Sequence, residues 1–446
     1  MRPRRLAQAP ALAGTGVPEG LEVSGVTLDS RAVRRGDVYA ALPGAATHGA
    51  RFADQAVAGG AVAVVTDAEG ARLAGDLDVP VVVVPDPRAR LGDLSAWVYH
   101  EPAQDLTLIG ITGTNGKTTM SYLLAAGLTA AGDTTGVIGT IGIQVGDREL
   151  PSARTTPEAP DVHAALAVMV ENGVSAVAME VSSHALALDR VAGLVFDVAV
   201  FTNLSQDHLD FHDGMEDYFA AKASLFDPAR SRHAVICIDD DWGRQLATGR
   251  RSVTYARHTA ADWTLREVGD RGDGGWRGSA CGPAGVEVEV ASPLPGPFNQ
   301  ANVLGALAAG VAAGRPADRL AAGLASCPGV PGRMEPVGGA GFAAYVDYAH
   351  TPDAVARAIA AVRPSTTGQV LVVLGCGGDR DRRKRPIMGS VAARAADVLI
   401  VTDDNPRSED PAMIRHAMLA GAAAESGATV LEIPDRRVAI GEAVAR

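Results

Sequence analysis

The amino-acid sequence predicts an α/β protein of three domains built on parallel sheets. Two observations lead there. A length of 446 residues, at roughly 150 per domain, allows about three separate cores. Apolar runs of strand length alternate with Ala-rich helical stretches along nearly the whole chain, the rhythm of strands joined by crossover helices. Apolar residues make up 47% of the chain and charged residues 21%, so a disordered polypeptide and a coiled coil are both excluded.

The first domain, residues 1–102, is a small α/β unit with strands at 62–66 and 79–84, and Glu101-Pro102-Ala103-Gln104 reads as a linker. The second, 103–331, opens with a strand at 106–111, a Gly-rich turn and a helix from Thr118 to about Ala131. Strands near 174–179 and 195–201 follow, and an apolar-periodic helix at about 302–313 closes it. Pro and Gly punctuation at Cys327-Pro328-Gly329-Val330-Pro331-Gly332 marks the next boundary. The third domain, 332–446, has strands at 342–347, 370–374, 398–402 and 429–433, with a helical pattern after each. That is a doubly wound arrangement, whose ligands lie beyond the carboxyl ends of the strands.

Forty Lys and Arg against 52 Asp and Glu give a net charge of −12, which argues against sequence-independent binding of nucleic-acid phosphates and makes any anion site local. Cys237, Cys281, Cys327 and Cys376 form no C-x-x-C pair; a disulfide framework and a thiolate metal site are therefore not expected, and a reducing cytoplasm is. Arg2, Arg4 and Arg5 are followed by Gln8, Pro10 and Gly14 before an apolar core accumulates, so the start reads as a frayed end rather than a signal peptide. No apolar run reaches the ~20 residues of a membrane span; a soluble protein without a membrane partner is the expectation.

The sharpest motif is Gly113-Thr114-Asn115-Gly116-Lys117-Thr118-Thr119, between a strand and a helix. Backbone N–H groups there can cradle phosphate oxygens, Lys117 can neutralise β/γ charge, and the Thr118 hydroxyl can ligate Mg²⁺. The strict pattern would place glycine at Ile111, so this loop is a variant that still points to a nucleoside triphosphate. In Met179-Glu180-Val181-Ser182-Ser183-His184, Glu180 sits at a strand end, where it reads equally as a helix cap or a ligand for a hard cation. Thr202-Asn203-Leu204-Ser205-Gln206-Asp207-His208-Leu209-Asp210 crowds ionisable groups into a turn, and by itself could be a satisfied polar loop.

These three clusters occur in order with Tyr218-Phe219-Ala220-Ala221-Lys222-Ala223-Ser224-Leu225-Phe226, Asn299-x-x-Asn302, Gly332-Arg333-Met334-Glu335 and Asp347-Tyr348-Ala349-His350-x-Pro352. Together, over roughly residues 20–440, they resemble the Mur ligase family, and within it the branch that adds diaminopimelate. The resemblance implies a UDP-binding first domain, a central P-loop ATPase domain and a C-terminal Rossmann-like domain that brings the incoming amino acid. It implies an ATP-dependent amide ligase of cytoplasmic peptidoglycan precursor synthesis, monomeric, acting on UDP-N-acetylmuramoyl-L-Ala-D-Glu, diaminopimelate and ATP.

Carried over residue by residue, the resemblance gives the uridine nucleotide Leu28 and Ser30 of Leu28-Asp29-Ser30-Arg31, with Thr47 and His48 of Ala45-Ala46-Thr47-His48. That last stretch differs from the usual polar run, so backbone groups or His48 take over its reading. Thr155, Thr156, Ser182 and Arg190 fall to the muramoyl dipeptide, and Asn302, Arg333, Asp347 and His350 join the 113–119 loop at ATP. Lys117, Glu180, His208 and Lys222 become the catalytic set. Lys222, an ordinary helix lysine on its own sequence, is in this family an N6-carboxylysine that helps His208 and Glu180 hold a second Mg²⁺, while Thr118 serves the first.

Gly375-Cys376-Gly377-Gly378-Asp379-Arg380-Asp381 and Asp404-Asn405-Pro406-Arg407 match the segments that select diaminopimelate. A guanidinium fork suits the distal carboxylate of that diamino diacid, and a carboxylate or carbonyl suits its ammonium, roles open to Arg380, Asp404, Asn405, Pro406 and Arg407. Lysine lacks that carboxylate. By itself, 404–407 is an Asx/Pro turn. Family members continue beyond the position of Arg446 with a strand and a G-K-G-H-E segment; either the natural polypeptide is longer or the amino-acid site is weakened. The alternative readings are a lysine-adding or folylpolyglutamate-like ligase, and a noncatalytic nucleotide-binding paralogue.

Overall fold

A computed structural model describes residues 2–446 other than 45, 147, 151, 153, 272–274, 339 and 340. The chain forms two compact units: Met1–Thr112 with Ala131–Val200 and Ala221–Ala234, and Gly113–Ala130 with Phe201–Ala220 and Val235–Arg446. Among the described residues no helix is long and apolar enough to cross a membrane.

The first unit contains a four-stranded parallel sheet, Gly25–Thr27, Asp37–Ala40, Ala63–Thr66 and Val81–Val83, in chain order. Successive side chains of a strand point to opposite faces. Val38 and Ala40 accordingly enter a core with Leu94 and Trp97 of the helix Pro87–Val98, while Tyr39 packs among Ala50, Ala53 and Val64. Burial on both faces explains why these strands read as unbroken apolar runs. Asp86 starts that helix by accepting from the N–H groups of Arg88 and Ala89, with Pro87 at the first helical position.

A second sheet of the same unit places Ala176–Glu180 between Thr135–Ile138 and Thr107–Thr112, parallel to both. Its edge is an antiparallel hairpin of Ile143–Val145 and Arg148–Leu150. The helix Ala159–Glu171 buries His163, whose Nε2 lies 3.1 Å from the Ala192 carbonyl.

In the second unit the helices Lys117–Ala130, Pro297–Ala312 and Ala317–Ser326 contribute a wholly buried set that includes Met120, Leu124, Leu304, Leu307 and Leu320. Thr264–Asp270, Trp276–Cys281 and Glu287–Ser292 form a separate antiparallel sheet. Beyond residue 370, Leu371–Leu374, Val398–Val401 and Thr429–Glu432 pair in parallel. Leu399 and Val401 face one core with Met388 and Met418. Val398 and Ile400 face another, with Ala439 of the helix Arg436–Ala445, so both faces are covered as a doubly wound sheet requires.

One expectation changes. The strand at 342–347 is not part of that parallel sheet: Ala344–Val346 pairs antiparallel with Glu335–Val337. Tyr345, Val346 and Val337 are exposed, so this local ribbon, which needs no crossover, lacks the double burial of a central strand. Antiparallel pairing also appears at the 143–150 hairpin and in the 264–292 sheet, beside the expected parallel sheets.

Burial drives the pKa of His163 down to about 4, with the Ala192 carbonyl opposing. The unfolded chain binds this proton below its ordinary pKa and the folded one only near 4. Stability is therefore expected to fall by about 3 kcal/mol as pH drops from 6.5 to 4. Denaturation of wild type and His163→Leu across that window checks this: the variant loses that part of the pH slope, and an unchanged slope contradicts it.

Candidate active site

The strand Thr107–Thr112 runs straight into the 113–116 turn, and the helix Lys117–Ala130 leaves it. Gly113 has φ 146°, and a Cβ there would stand 1.9 Å from the Thr202 hydroxyl oxygen, so glycine is required for this close approach. The 202–205 segment then clamps the turn. Thr202 Oγ1 and Asn203 Nδ2 donate to the Asn115 carbonyl at 2.7 and 3.0 Å, Asn203 Oδ1 accepts from the Asn115 N–H at 3.0 Å, and the Asn203 carbonyl accepts from the Thr114 N–H at 2.9 Å. Lys117 Nζ curls back to donate to the carbonyls of Gly113 (2.9 Å) and Thr114 (2.8 Å), which keeps a cation over the turn and the start of the helix. Such a combination is suited to phosphate oxygens.

A cavity of about 430 Å³ opens beside this turn. Asn115, Gly116 and Thr119 border it on one side and Asn302, Arg333, Asp347 and His350 on the others, so the sequence-predicted nucleotide residues converge. Asn302 Nδ2 donates to Asn299 Oδ1 at 3.1 Å, with both residues buried near the start of the helix Pro297–Ala312. Arg333 Nη2 donates to the Thr118 hydroxyl at 3.0 Å, and its guanidinium lies 4.7 Å from the Tyr348 ring centroid, a cation–π contact that fixes its plane. Asp347 Oδ2 accepts from the Met334 N–H at 2.8 Å; burial raises its pKa against the pull of that bond and of Arg333. Arg257, His258 and Phe298 also line the cavity. No local motif announced them, although Phe298 lies one residue before Asn299 at a helix start.

His208 adopts φ 55°. Its neighbour Asp207 is buried, with His208 Nε2 at 3.5 Å, His350 Nε2 at 3.4 Å and Lys384 Nζ at 3.5 Å. Burial opposes the charge on Asp207, yet the hydrogen bond from His350 and the charges of His208 and Lys384 outweigh it and hold the carboxyl well below the usual carboxylate range. The sequence showed Asp207 inside its cluster without a role; Lys384 carried no signal of its own.

In the first unit Glu180 closes its strand at 1% exposure. Its Oε1 accepts from the Thr140 N–H at 2.8 Å and Oε2 from the Thr140 hydroxyl at 3.1 Å, and that hydroxyl is 3.0 Å from the Thr155 hydroxyl. Thr156 Oγ1 donates to the Glu180 carbonyl at 2.8 Å and accepts from the Ser182 N–H at 3.1 Å. Ser182 caps the helix Ser183–Ala187. Arg190 Nη1 lies 3.4 Å from the Thr156 carbonyl, and Arg190 pairs with Glu158 at 2.9 Å. Thr155, Thr156, Glu180, Ser182 and Arg190 are thus one connected set. Glu158, which also meets Arg88 at 3.4 Å and Arg154 at 2.8 Å, was missed. Lys222 is 1% exposed near the end of the helix Met215–Ala223.

Farther toward the N-terminus, Leu28 is half-buried against the core, Ser30 Oγ donates to Gln55 Oε1 at 2.9 Å and Thr47 is exposed. Both His48 ring nitrogens are engaged: Nδ1 accepts from the Ala50 N–H at 3.1 Å and Nε2 lies 3.2 Å from Asp67 Oδ1. Ala45 lies outside the described residues. In the second unit, Arg380, Asp404, Asn405 and Arg407 are exposed and Pro406 half-buried at the carboxyl ends of the parallel strands. Arg407 Nη1 donates to the Gly378 carbonyl at 2.5 Å and Arg380 Nη1 to the Asp379 carbonyl at 3.1 Å, so the two diaminopimelate-selecting segments meet.

Comparison with known proteins accounts for both sets. Residues 22–99 match the Mur ligase family, catalytic domain; 111–310 match the Mur ligase middle domain; and 332–446 match the Mur ligase, glutamate ligase domain. The chain is 52% identical over 442 residues to UDP-N-acetylmuramoyl-L-alanyl-D-glutamate--2,6-diaminopimelate ligase of Streptomyces coelicolor, covering 97% of this chain and 87% of that one. A solved structure of a protein of the same name aligns with a TM-score of 0.71 at 33% identity, over 98% of this chain and 90% of that one. The MurF ligase of Thermotoga maritima in complex with ADP shares the fold at 20% identity and a TM-score of 0.63, over 95% and 96% of the two chains. With its ordered motifs, its phosphate turn and this extent of identity, the chain belongs to the Mur ligase family.

Proposed function

We propose that this protein joins diaminopimelate to the D-Glu γ-carboxylate of UDP-N-acetylmuramoyl-L-Ala-D-Glu at the expense of ATP, in the cytoplasm and as a monomer. The observation that supports it most is the convergence of Asn302, Arg333, Asp347 and His350 on one cavity beside the clamped phosphate turn. The name and identity of the Streptomyces coelicolor relative supply the substrates.

The chemistry follows from what an amide requires. A carboxylate oxygen is a poor leaving group, so it first attacks the γ-phosphorus of ATP; the bond to the β-phosphate bridging oxygen breaks, and ADP departs. The acyl phosphate then accepts the diaminopimelate amine at its carbonyl carbon. As the tetrahedral intermediate collapses, the carbon–oxygen bond breaks, phosphate leaves and the amine gives up its proton. No protein nucleophile takes part, and catalysis rests on positioning and charge neutralisation. Lys117 and the turn N–H groups bind the phosphates, Arg333 adds a fixed positive charge beside Thr118, and Asn302 shapes the cavity wall. Thr155, Thr156, Ser182 and Arg190 hold the dipeptide, and Leu28, Ser30, Thr47 and His48 lie on the uridine side, with His48 acting through its hold on Ala50. Arg407, Arg380, Asp404, Asn405 and Pro406 receive the amino acid.

Mg²⁺ prefers hard oxygen ligands: the Thr118 hydroxyl and the Glu180 carboxylate are of that kind, whereas His208 would offer a ring nitrogen. Among the described residues no three His, Cys, Asp or Glu side chains are grouped to hold a metal; Lys222, as its carbamate, would add oxygen donors, and the substrates would supply others. Bound Mg²⁺ would neutralise phosphate charge. The burial of Lys222 agrees with this reading, because an ordinary helix lysine is solvated.

ADP release with the muramoyl dipeptide and each of meso-diaminopimelate, LL-diaminopimelate and lysine tests the proposal. Turnover with a diaminopimelate isomer and negligible turnover with lysine is expected; lysine as sole substrate overturns it. Lys117→Ala and Lys222→Ala should each lower kcat by about two orders of magnitude or more. Wild-type rates in either variant contradict its assigned role. Gly113→Ala, which forces a Cβ against Thr202, should abolish saturable ATP binding in calorimetry while the muramoyl dipeptide still binds.

A further inference from the structure

We propose that the buried Arg385 and the half-buried Glu409 form a brace that positions Arg407, and thereby sets selection of a diamino diacid over lysine. The inference rests on the functional reading above and adds two positioning residues that touch no substrate. Arg385, in the helix Lys384–Ala395, is 4% exposed. Its guanidinium grips Glu409 bidentately, Nη2 to Oε1 at 2.8 Å and Nη1 to Oε2 at 3.1 Å, and Nη2 lies 3.4 Å from the Gly377 carbonyl. Paired N–H···O bonds of this kind fix direction as well as distance.

Glu409 is also bound to the other segment. Its Oε1 accepts from the Asp379 N–H at 2.6 Å. Asp379 in turn accepts from Ser408, at 2.7 Å from the hydroxyl and 3.1 Å from the N–H. The Gly378 N–H donates to the Asn405 carbonyl at 2.8 Å, and a Cβ on Gly378 would stand 1.9 Å from the Pro406 carbonyl oxygen. The 377–379 and 405–409 backbones are therefore zipped together. Asp379 and Arg407, one on each segment, both adopt φ 50°, a left-handed conformation that persists in such residues only where surroundings enforce it. The Arg407 guanidinium donates to the Gly378 carbonyl, the residue flanked by the two zipped positions. The hydrogen bonds from Arg385 hold the carboxyl of Glu409 down at about 2, so the brace stays charged at neutral pH.

Removing Glu409 leaves the buried Arg385 without its carboxylate partner, which can unfold a domain, whereas Glu409 also meets Arg382 at 3.2 Å; replacing both by apolar residues of similar size generally preserves stability. The test therefore uses Glu409→Gln together with the double variant Arg385→Met/Glu409→Met, each shown to be folded by its thermal melt. Steady-state kinetics are measured with ATP, the muramoyl dipeptide, and either meso-diaminopimelate or lysine. The KM for diaminopimelate should rise about tenfold or more and the diaminopimelate-to-lysine ratio of kcat/KM should fall by a similar factor, while the KM values for ATP and the muramoyl dipeptide stay within about twofold. An unchanged diaminopimelate KM and ratio in the folded double variant overturns the brace alone. If wild type uses no diaminopimelate at all, the functional reading falls and takes the brace with it.

Discussion

The contact between the phosphate turn and the 202–205 segment is the constraint on which the nucleotide site depends. At Gly113 the turn comes so close to Thr202 that no side chain fits, and the Thr202 and Asn203 side chains satisfy the Asn115 backbone in both directions. The turn is held through both kinds of backbone group: the Thr114 and Asn115 N–H groups donate to Asn203, and the Asn115 carbonyl accepts from Thr202 and Asn203. A further hold comes from Thr114, whose hydroxyl accepts from the Ser205 N–H. The Lys117 ammonium rests on two carbonyls of the turn and so remains near the place where charge arrives.

Two buried carboxylates, Glu180 and Asp207, are satisfied by neighbours that belong to the candidate site. Glu180 is held by Thr140, which touches Thr155, and Thr156 bridges the Glu180 and Ser182 backbones. A buried carboxyl group without hydrogen-bond partners is costly; the two oxygens of Glu180 are met by an N–H and a hydroxyl. Asp207 is a stronger case, with two imidazoles and an ammonium within 3.5 Å. Residues far apart in sequence are drawn together there, since Lys384 and His350 both belong to the stretch that matches the glutamate ligase domain.

Much of this was legible in the sequence. Strands buried on both faces, such as 63–66 and 398–401, are unbroken apolar runs, and the 113–119 motif fixes its own surroundings because few other residue patterns can make that turn. The antiparallel 264–292 sheet carries a weaker signal: Val286-Glu287-Val288-Glu289-Val290 alternates strictly, the period of a half-buried strand, and contains no long apolar run. The 342–347 segment looked like a core strand because its composition is apolar, but composition does not reveal that Tyr345 and Val346 lack a covering layer. Asn302, Arg333, Asp347 and His350 were named only by family resemblance, and their convergence on one cavity needed the fold. Glu158, Lys384, Arg385 and Glu409 gave no warning, since a single charged residue in a sequence is by default a solvated one, and only burial beside a partner distinguishes it.

In the proposed reaction the terminal phosphoryl group of ATP is transferred to a side-chain carboxylate before the amide forms. Placing oxygen-18 in the γ-carboxylate of the muramoyl dipeptide tests it directly. Turnover to product should release inorganic phosphate that carries one heavy oxygen per amide formed, because the carboxylate oxygen that attacked phosphorus leaves with it. Phosphate free of the label, with product still accumulating, would contradict the account.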